Sequence, residues 1–230
     1  MDTESKLLKD IEKEVAAKAA VQYIKQNDIV GLGTGSTAFY AIREIAALVK
    51  NGLKIKGVPT SQKTAELATA LGIELLDMKD VHAIDITIDG ADEFTADLQL
   101  IKGGGGALFR EKIIASLTKK EIIIADAAKK VEVLGKFTVP VEVVPMAMNY
   151  VMGEMARING KGKLRMAKDQ DPFITDNQNY IVDTDFGLIK DPTALSKRLN
   201  QIDGILAHGL FINLTAMVIM GKGKDIMTYK

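Results

Sequence analysis

The 230-residue chain has no cysteine, which excludes a disulfide framework, a thiolate metal site and a cysteine nucleophile. Only two histidines occur, His82 and His208, so a histidine-rich metal centre is not expected. Neither sign of charge is in excess. Thirty Lys+Arg balance thirty Asp+Glu, which disfavours a nucleic-acid binder or a membrane-surface protein. The opening MDTESKLLKD mixes acids and bases and lacks the apolar core of a signal peptide, so a soluble cytoplasmic protein is expected. The uncharged stretch from Gly204 to Gly221 is long enough to span a bilayer. His208, Gly209, Asn213 and Thr215 interrupt it, and it reads better as short buried strands. No repeat, low-complexity tract or long linker stands out. Glycine is what the chain has in quantity, twenty residues, several of them clustered.

Length and composition suit one or two globular domains. In the first half, helical and strand-like patterns alternate. Leu8, Ile11, Val15 and Ala19 are spaced for a helix, and the apolar run from Asp28 ends in glycines. Ser36 then opens a helix with Ala38, Ile42, Ile45 and Val49 on one face. Residues 54–59, 73–76, 83–89 and 121–125 are strand-like, while 61–71 and 107–117 are helical. This alternation predicts an α/β fold, an open and mostly parallel Rossmann-like sheet flanked by helices. Beyond about residue 130 the pattern changes: prolines at 140 and 145 bracket a β-rich run, followed by a helix, two strands and a second helix. Residues 131–203 therefore read as a smaller inserted α+β domain. Residues 1–130 and 204–230 form the main domain, the final strands being expected to rejoin its sheet.

Three unusual segments fall at strand ends, where open parallel sheets bind ligands. The first is GLGTGSTA, Gly31 to Ala38. A glycine turn leading into a helix brings N–H groups and the positive helix end toward an anion, and Thr34, Ser36 and Thr37 add hydroxyls beside Gly35. It is not a dinucleotide loop, because Ser36 stands where a third glycine is needed and no acidic residue ends the second strand. The plain reading is a tight turn with a serine cap. The second segment is DGADE, from Asp89 to Glu93, where Asp89 and Asp92 can bond hydroxyls or move protons; otherwise they make an Asx-turn.

The third is IKGGGGALFREK, from Ile101 to Lys112. Four consecutive glycines suggest a flexible linker, but the apolar residues before them and the helical pattern after them argue against it. Gly103, Gly104 and Gly105 allow the backbone to line a ligand with N–H donors, beside the fixed charge of Lys102. Glu111 lies about a turn further on and can project back as a base. Arg110 and Lys112 read as solvated helix residues. Such a set suits proton abstraction next to a carbonyl in a phosphorylated polyol, with no metal and no cofactor required.

On these residues the sequence closely resembles type A ribose-5-phosphate isomerases. GLGTGSTA, TSQKT (60–64), DGADE, KGGGGALFREK, ADAAK (125–129) and LGKFTVPVEVVP (134–145) follow that family's order across nearly the whole chain. The resemblance implies an enzyme that interconverts ribose 5-phosphate and ribulose 5-phosphate without a cofactor. Glu111 would be the base, and Asp89 would assist ring opening or proton movement between the oxygens. Lys102 and the loop N–H groups would stabilise the enediolate, while Asp92 would hold hydroxyls. Lys13 and Lys129 would lie near the phosphate, with Thr34, Gly35, Ser36 and Thr37 at the substrate. Ala128 departs from the family's usual serine, and no catalytic role rests on it. The resemblance further implies a homodimer or homotetramer. Two other classes fit less well. A sugar-phosphate sensor domain would need no base and would accompany a helix-turn-helix, which is not expected ahead of the first strand. A nicotinamide-dependent dehydrogenase lacks its glycine and ribose carboxylate.

Overall fold

The computed structural model describes residues 3–230. In chain order the elements begin with α1 (Thr3–Val21), β1 (Ile29–Leu32), α2 (Ser36–Lys50), β2 (Lys56–Pro59), α3 (Gln62–Ala70) and β3 (Ile86–Gly90). They continue with β4 (Glu93–Phe94), β5 (Leu100–Ile101), α4 (Leu108–Leu117), β6 (Glu121–Asp126), β7 (Val139–Val143), α5 (Met148–Arg157) and β8 (Lys161–Leu164). The last are β9 (Tyr180–Asp185), α6 (Pro192–Leu199), β10 (Ile205–His208), β11 (Leu210–Phe211), β12 (Met217–Lys222) and β13 (Asp225–Tyr229). Among the described residues no helix is long and apolar enough to cross a membrane.

The chain forms two compact units. One comprises the chain up to Ala91 with Ile113–Lys130 and Leu214–Lys230; the other comprises Asp92–Lys112 and Val131–Asn213. In the first unit six strands lie in the order β13-β12-β6-β3-β1-β2, parallel throughout except for β13. Val30, Leu32, Ile86, Ile88, Ile122, Ile124 and Ile219 alternate onto one face, where α1 and α2 cover them with Ala16, Ala20, Ile42 and Ile45. Ile114 of α4 packs with Val58 and Ile84 in a separate cluster. Parallel strands covered in this way read as the continuous apolar runs that the sequence shows.

In α1 the buried stripe is Ala16, Ala17, Ala20 and Val21, while Leu8 is exposed. The small residues let the helix close on the sheet. At Gly221 of β12 an added Cβ would stand 2.0 Å from the carbonyl oxygen of Glu12. Residues 73–76 make only a bridge, Leu75 to Gly57, instead of a strand.

The second unit holds an antiparallel sheet β10-β7-β9-β8 and a small one, β11-β5-β4. Its core gathers Ile101, Val139, Val141, Val143, Val151, Met155, Val182 and Leu210. The final strands therefore do not all rejoin the main sheet as the sequence suggested. β10 pairs with β7 and β11 with β5; only β12 and β13 return. Segments 92–112 and 204–213 belong with the second unit for the same reason, since Ile101 and Leu210 share both a strand pair and a core.

Candidate active site

In the second unit the glycine loop runs from β5 into α4. Gly103 and Gly106 have φ of 99° and 85°, a region that favours glycine. The turn closes with Gly106 N–H donating to the Gly103 carbonyl at 3.0 Å. Asp92 lies against this loop, and its Oδ2 accepts the Gly104 N–H at 2.7 Å. The loop delivers Lys102 and Glu111 to one place. Lys102 is 2% exposed and Glu111 5% exposed, with Nζ 3.7 Å from Glu111 Oε2. Burying both charges is costly unless each is compensated, and this pairing supplies part of the compensation for both. The Lys102 ammonium also lies 5.4 Å from the centroid of the buried Phe211 ring, a cation–π contact.

Lys112 is not the solvated residue that its position suggested. Its Nζ donates to the carbonyls of His208 (2.5 Å) and Leu210 (2.9 Å), and it lies 4.8 Å from the centroid of the Phe211 ring, which it shares with Lys102. Burial pushes its pKa down to about 7. His208 is buried too: its Nδ1 accepts from Leu210 N–H (3.3 Å), and Nε2 lies 3.1 Å from Asn200 Oδ1. Burial, and then the charge of Lys112, pushes the imidazole down to about 3. Arg110 bonds Asn177 and pairs with Asp176. None of these partners carries a sequence motif.

In the first unit Asp89 stands next to last in β3, beside the turn that follows β1, the adjacent strand. It is 1% exposed, and its Oδ1 accepts N–H groups from Thr34 (3.1 Å) and Gly90 (2.6 Å). Gly33 admits it: a Cβ there would lie 2.2 Å from that oxygen. The Thr34 hydroxyl lies within 3.0 Å of the hydroxyls of Thr60, Ser61 and Thr64, so the TSQKT segment braces this turn.

Gly35, not Ser36, caps α2, and no side chain caps that helix. The first-turn N–H groups of α2, with Thr37 buried among them, give an anion-binding arrangement. Lys13 Nζ donates to Ser36 Oγ at 3.1 Å. Lys129 ends the short turn 127–129 after β6, and buried Glu12 accepts the Ala127 N–H that opens it, at 3.1 Å. The first unit thus brings Lys13 to Ser36 and Asp89 to Thr34, and the second brings Lys102, Glu111, Asp92 and Gly104 together. Among the described residues there is no group of three or more His, Cys, Asp or Glu suited to hold a metal ion.

The family model for ribose 5-phosphate isomerase A (phosphoriboisomerase A) matches residues 56–225. A ribose-5-phosphate isomerase A from Parvibaculum lavamentivorans is 47% identical over 226 residues, covering 95% of this chain and 98% of that protein. A protein named ribose-5-phosphate isomerase A 1, from Oceanobacillus iheyensis, is 44% identical and covers 94% and 96%. Among solved structures, a D-ribose-5-phosphate isomerase in complex with phospho-erythronic acid superposes with a TM-score of 0.92 at 38% identity, over 99% of both chains. The ribose 5-phosphate isomerase A of Methanocaldococcus jannaschii gives 0.90 at 37% identity, over 96% of this chain and 98% of that one. With a model matched over most of its length and relatives of this identity, the chain belongs to the ribose 5-phosphate isomerase A family.

Proposed function

We propose that the protein is an aldose–ketose isomerase interconverting D-ribose 5-phosphate and D-ribulose 5-phosphate through an enediolate, a step of the non-oxidative pentose phosphate pathway. The observation that carries the chemistry is the buried Glu111–Lys102 pair beside the glycine loop. Glu111 takes the proton from C2 of the open aldose as the C2–H electrons form the C1=C2 bond and the carbonyl electrons move onto O1. Lys102 and the loop N–H groups not already given to Asp92 or to the Gly103 carbonyl hold the charge that develops on oxygen, each donor contributing roughly 3 kcal/mol. Glu111 then returns the proton to C1, while a proton shifts from O2 to O1. A sensor domain would have no use for a carboxylate buried against a lysine.

The other roles follow the same reading. Asp89 assists furanose opening and Asp92 holds hydroxyls. Lys13, Lys129, Ser36, Thr37 and the α2 amides bind the phosphate, with Thr34 and Gly35 shaping the turn. No metal or cofactor takes part, and the partner is a small sugar phosphate, not nucleic acid or membrane. The protein is cytoplasmic and assembles as a homodimer or homotetramer. Met146, Tyr150 and Leu188, exposed at 93%, 52% and 61%, support a contribution of residues 131–203 to assembly.

The test is turnover of ribose 5-phosphate in the presence of a chelator by the parent and by Glu111→Gln. The variant should lose at least ~10²-fold in kcat, the contribution of a placed general base, while still binding substrate. A variant that keeps more than about a tenth of the rate would remove Glu111 from the role. Circular dichroism accompanies the assay, because neutralising Glu111 takes a charge away from beside the buried Lys102, and breaking a buried pair costs up to about 3–5 kcal/mol.

A further inference from the structure

Arg165, directly after β8, lies outside every motif read from the sequence. Its Nε donates to Asp183 Oδ2 at 2.8 Å and its Nη2 to Oδ1, a two-pronged pair with β9. The remaining nitrogen, Nη1, donates to the carbonyls of Gly103 and Gly104, both at 3.1 Å. The backbone around it is fixed as well. Arg165 N–H donates to Ile181 O at 2.8 Å, and Arg165 O accepts Phe173 N–H at 2.9 Å. Phe173 in turn lies where a Cβ on Gly106 would be, at 2.6 Å, and its ring centroid is 5.8 Å from the guanidinium. The guanidinium fork is rigid and cannot lose its charge, so its aim is set by Asp183.

We infer that Arg165, anchored by Asp183, is a positioning residue that sets the direction and strength of the loop's N–H donors. This inference rests on the isomerase reading above. In a trans peptide the N–H points opposite to the carbonyl, and no cis peptide occurs among the described residues. Turning the Gly103 carbonyl to Arg165 sends the Gly104 N–H the other way, onto Asp92. Turning the Gly104 carbonyl to the same nitrogen likewise directs the Gly105 N–H away from Arg165. A charged donor on a carbonyl polarises its peptide and strengthens the N–H on the far side. Gly104 and Gly105 are exposed and have no side chains to hold this geometry themselves. Asp183 also balances the guanidinium charge locally, so Arg165 acts through the two peptides and does not compete with Lys102 for the substrate's anionic groups.

The experiment measures kcat and KM for ribose 5-phosphate, and the inhibition constant of phospho-erythronic acid, for the parent, Arg165→Met and Arg165→Lys. The acid's carboxylate stands in for the enediolate oxygens. Arg165→Met should lose about 10- to 100-fold in kcat with KM within about threefold, and should weaken the acid in proportion to kcat. Arg165→Lys keeps the charge but cannot serve Asp183 and both carbonyls. It should lose roughly 3- to 10-fold in kcat, and it decides the matter if Arg165→Met does not fold. A kcat within about threefold of the parent for Arg165→Met, or unchanged for Arg165→Lys when only that variant folds, overturns the assignment. So does a loss in which KM and the acid's constant rise together, as a merely loosened site would give. A parent inactive on ribose 5-phosphate overturns the isomerase reading and this assignment with it.

Discussion

His208 is a buried imidazole whose proton the fold excludes. Its Nδ1 already accepts the Leu210 N–H and faces the Lys112 ammonium, so a second ring proton would point at donors. The folded pKa of about 3 lies below the ordinary value of 6.5, so between those two values the unfolded chain binds the proton and the folded chain does not. Stability linked to His208 is therefore full above about pH 6.5 and is lost as the pH falls toward 3. Going from about pH 7.5 to about pH 5, this group alone should cost the parent ~2 kcal/mol. Urea titrations at both values should show a smaller loss for His208→Gln, whatever its stability at neutral pH. Equal losses would mean that His208 is protonated in the fold. Repeating both titrations on a Lys112→Met background separates the imidazole from Lys112, which contacts it.

At the scale of elements, one substitution has opposite expected effects in two places. A Cβ at Gly221 in β12 meets the backbone oxygen of Glu12 in α1, and a helix backbone cannot yield cheaply. Gly221→Ala should destabilise by about 1–3 kcal/mol or more. Gly153 is an exposed position inside α5 with nothing within 4 Å of an added Cβ. Gly153→Ala should stabilise by up to about 1 kcal/mol through helix propensity and the unfolded chain's entropy. Chemical denaturation of both variants reads this, and a neutral Gly221→Ala would mean that α1 does not approach β12 as described.

The elements themselves were largely legible, because β1, β3 and β6 are apolar runs and α2 has a full apolar face. The candidate site was legible where glycine and charge cluster within a few residues, as at Lys102 and Glu111, which the fold brings within 3.7 Å of each other. It was not legible where the partner is remote. Arg165 and Asp183 sit in ordinary polar stretches, and Lys112 looks solvated until His208 and Leu210, 96 and 98 residues away, cover it. Nor does a short strand such as Leu210–Phe211 state which sheet it joins, since its apolar pattern fits either.

At the scale of the whole molecule, the chain passes between its two units after Ala91, Lys112, Lys130 and Asn213. Neither unit is one continuous segment, so the smaller block of residues 131–203 does not hold the second unit's core alone. Ile101 and Leu210 complete that core with Val139, Val141 and Val182. Val131 N–H bonds the Phe94 carbonyl at 2.9 Å, and Glu93 accepts N–H groups from Gly135 (2.8 Å) and Phe137 (2.6 Å). Joining residue 130 to residue 204 by a short flexible linker would leave β10 without β7, its partner, and uncover Ile101, Leu210 and Phe211. An exposed apolar surface of that kind promotes association. The excised protein should therefore be insoluble, or give no cooperative melt by circular dichroism, although the six-stranded sheet keeps every strand. A soluble product with a sharp transition would instead make residues 131–203 a true insertion. It would place 92–112 and 204–213 with the larger unit, and the division drawn at Ala91 and Asn213 would have to be abandoned.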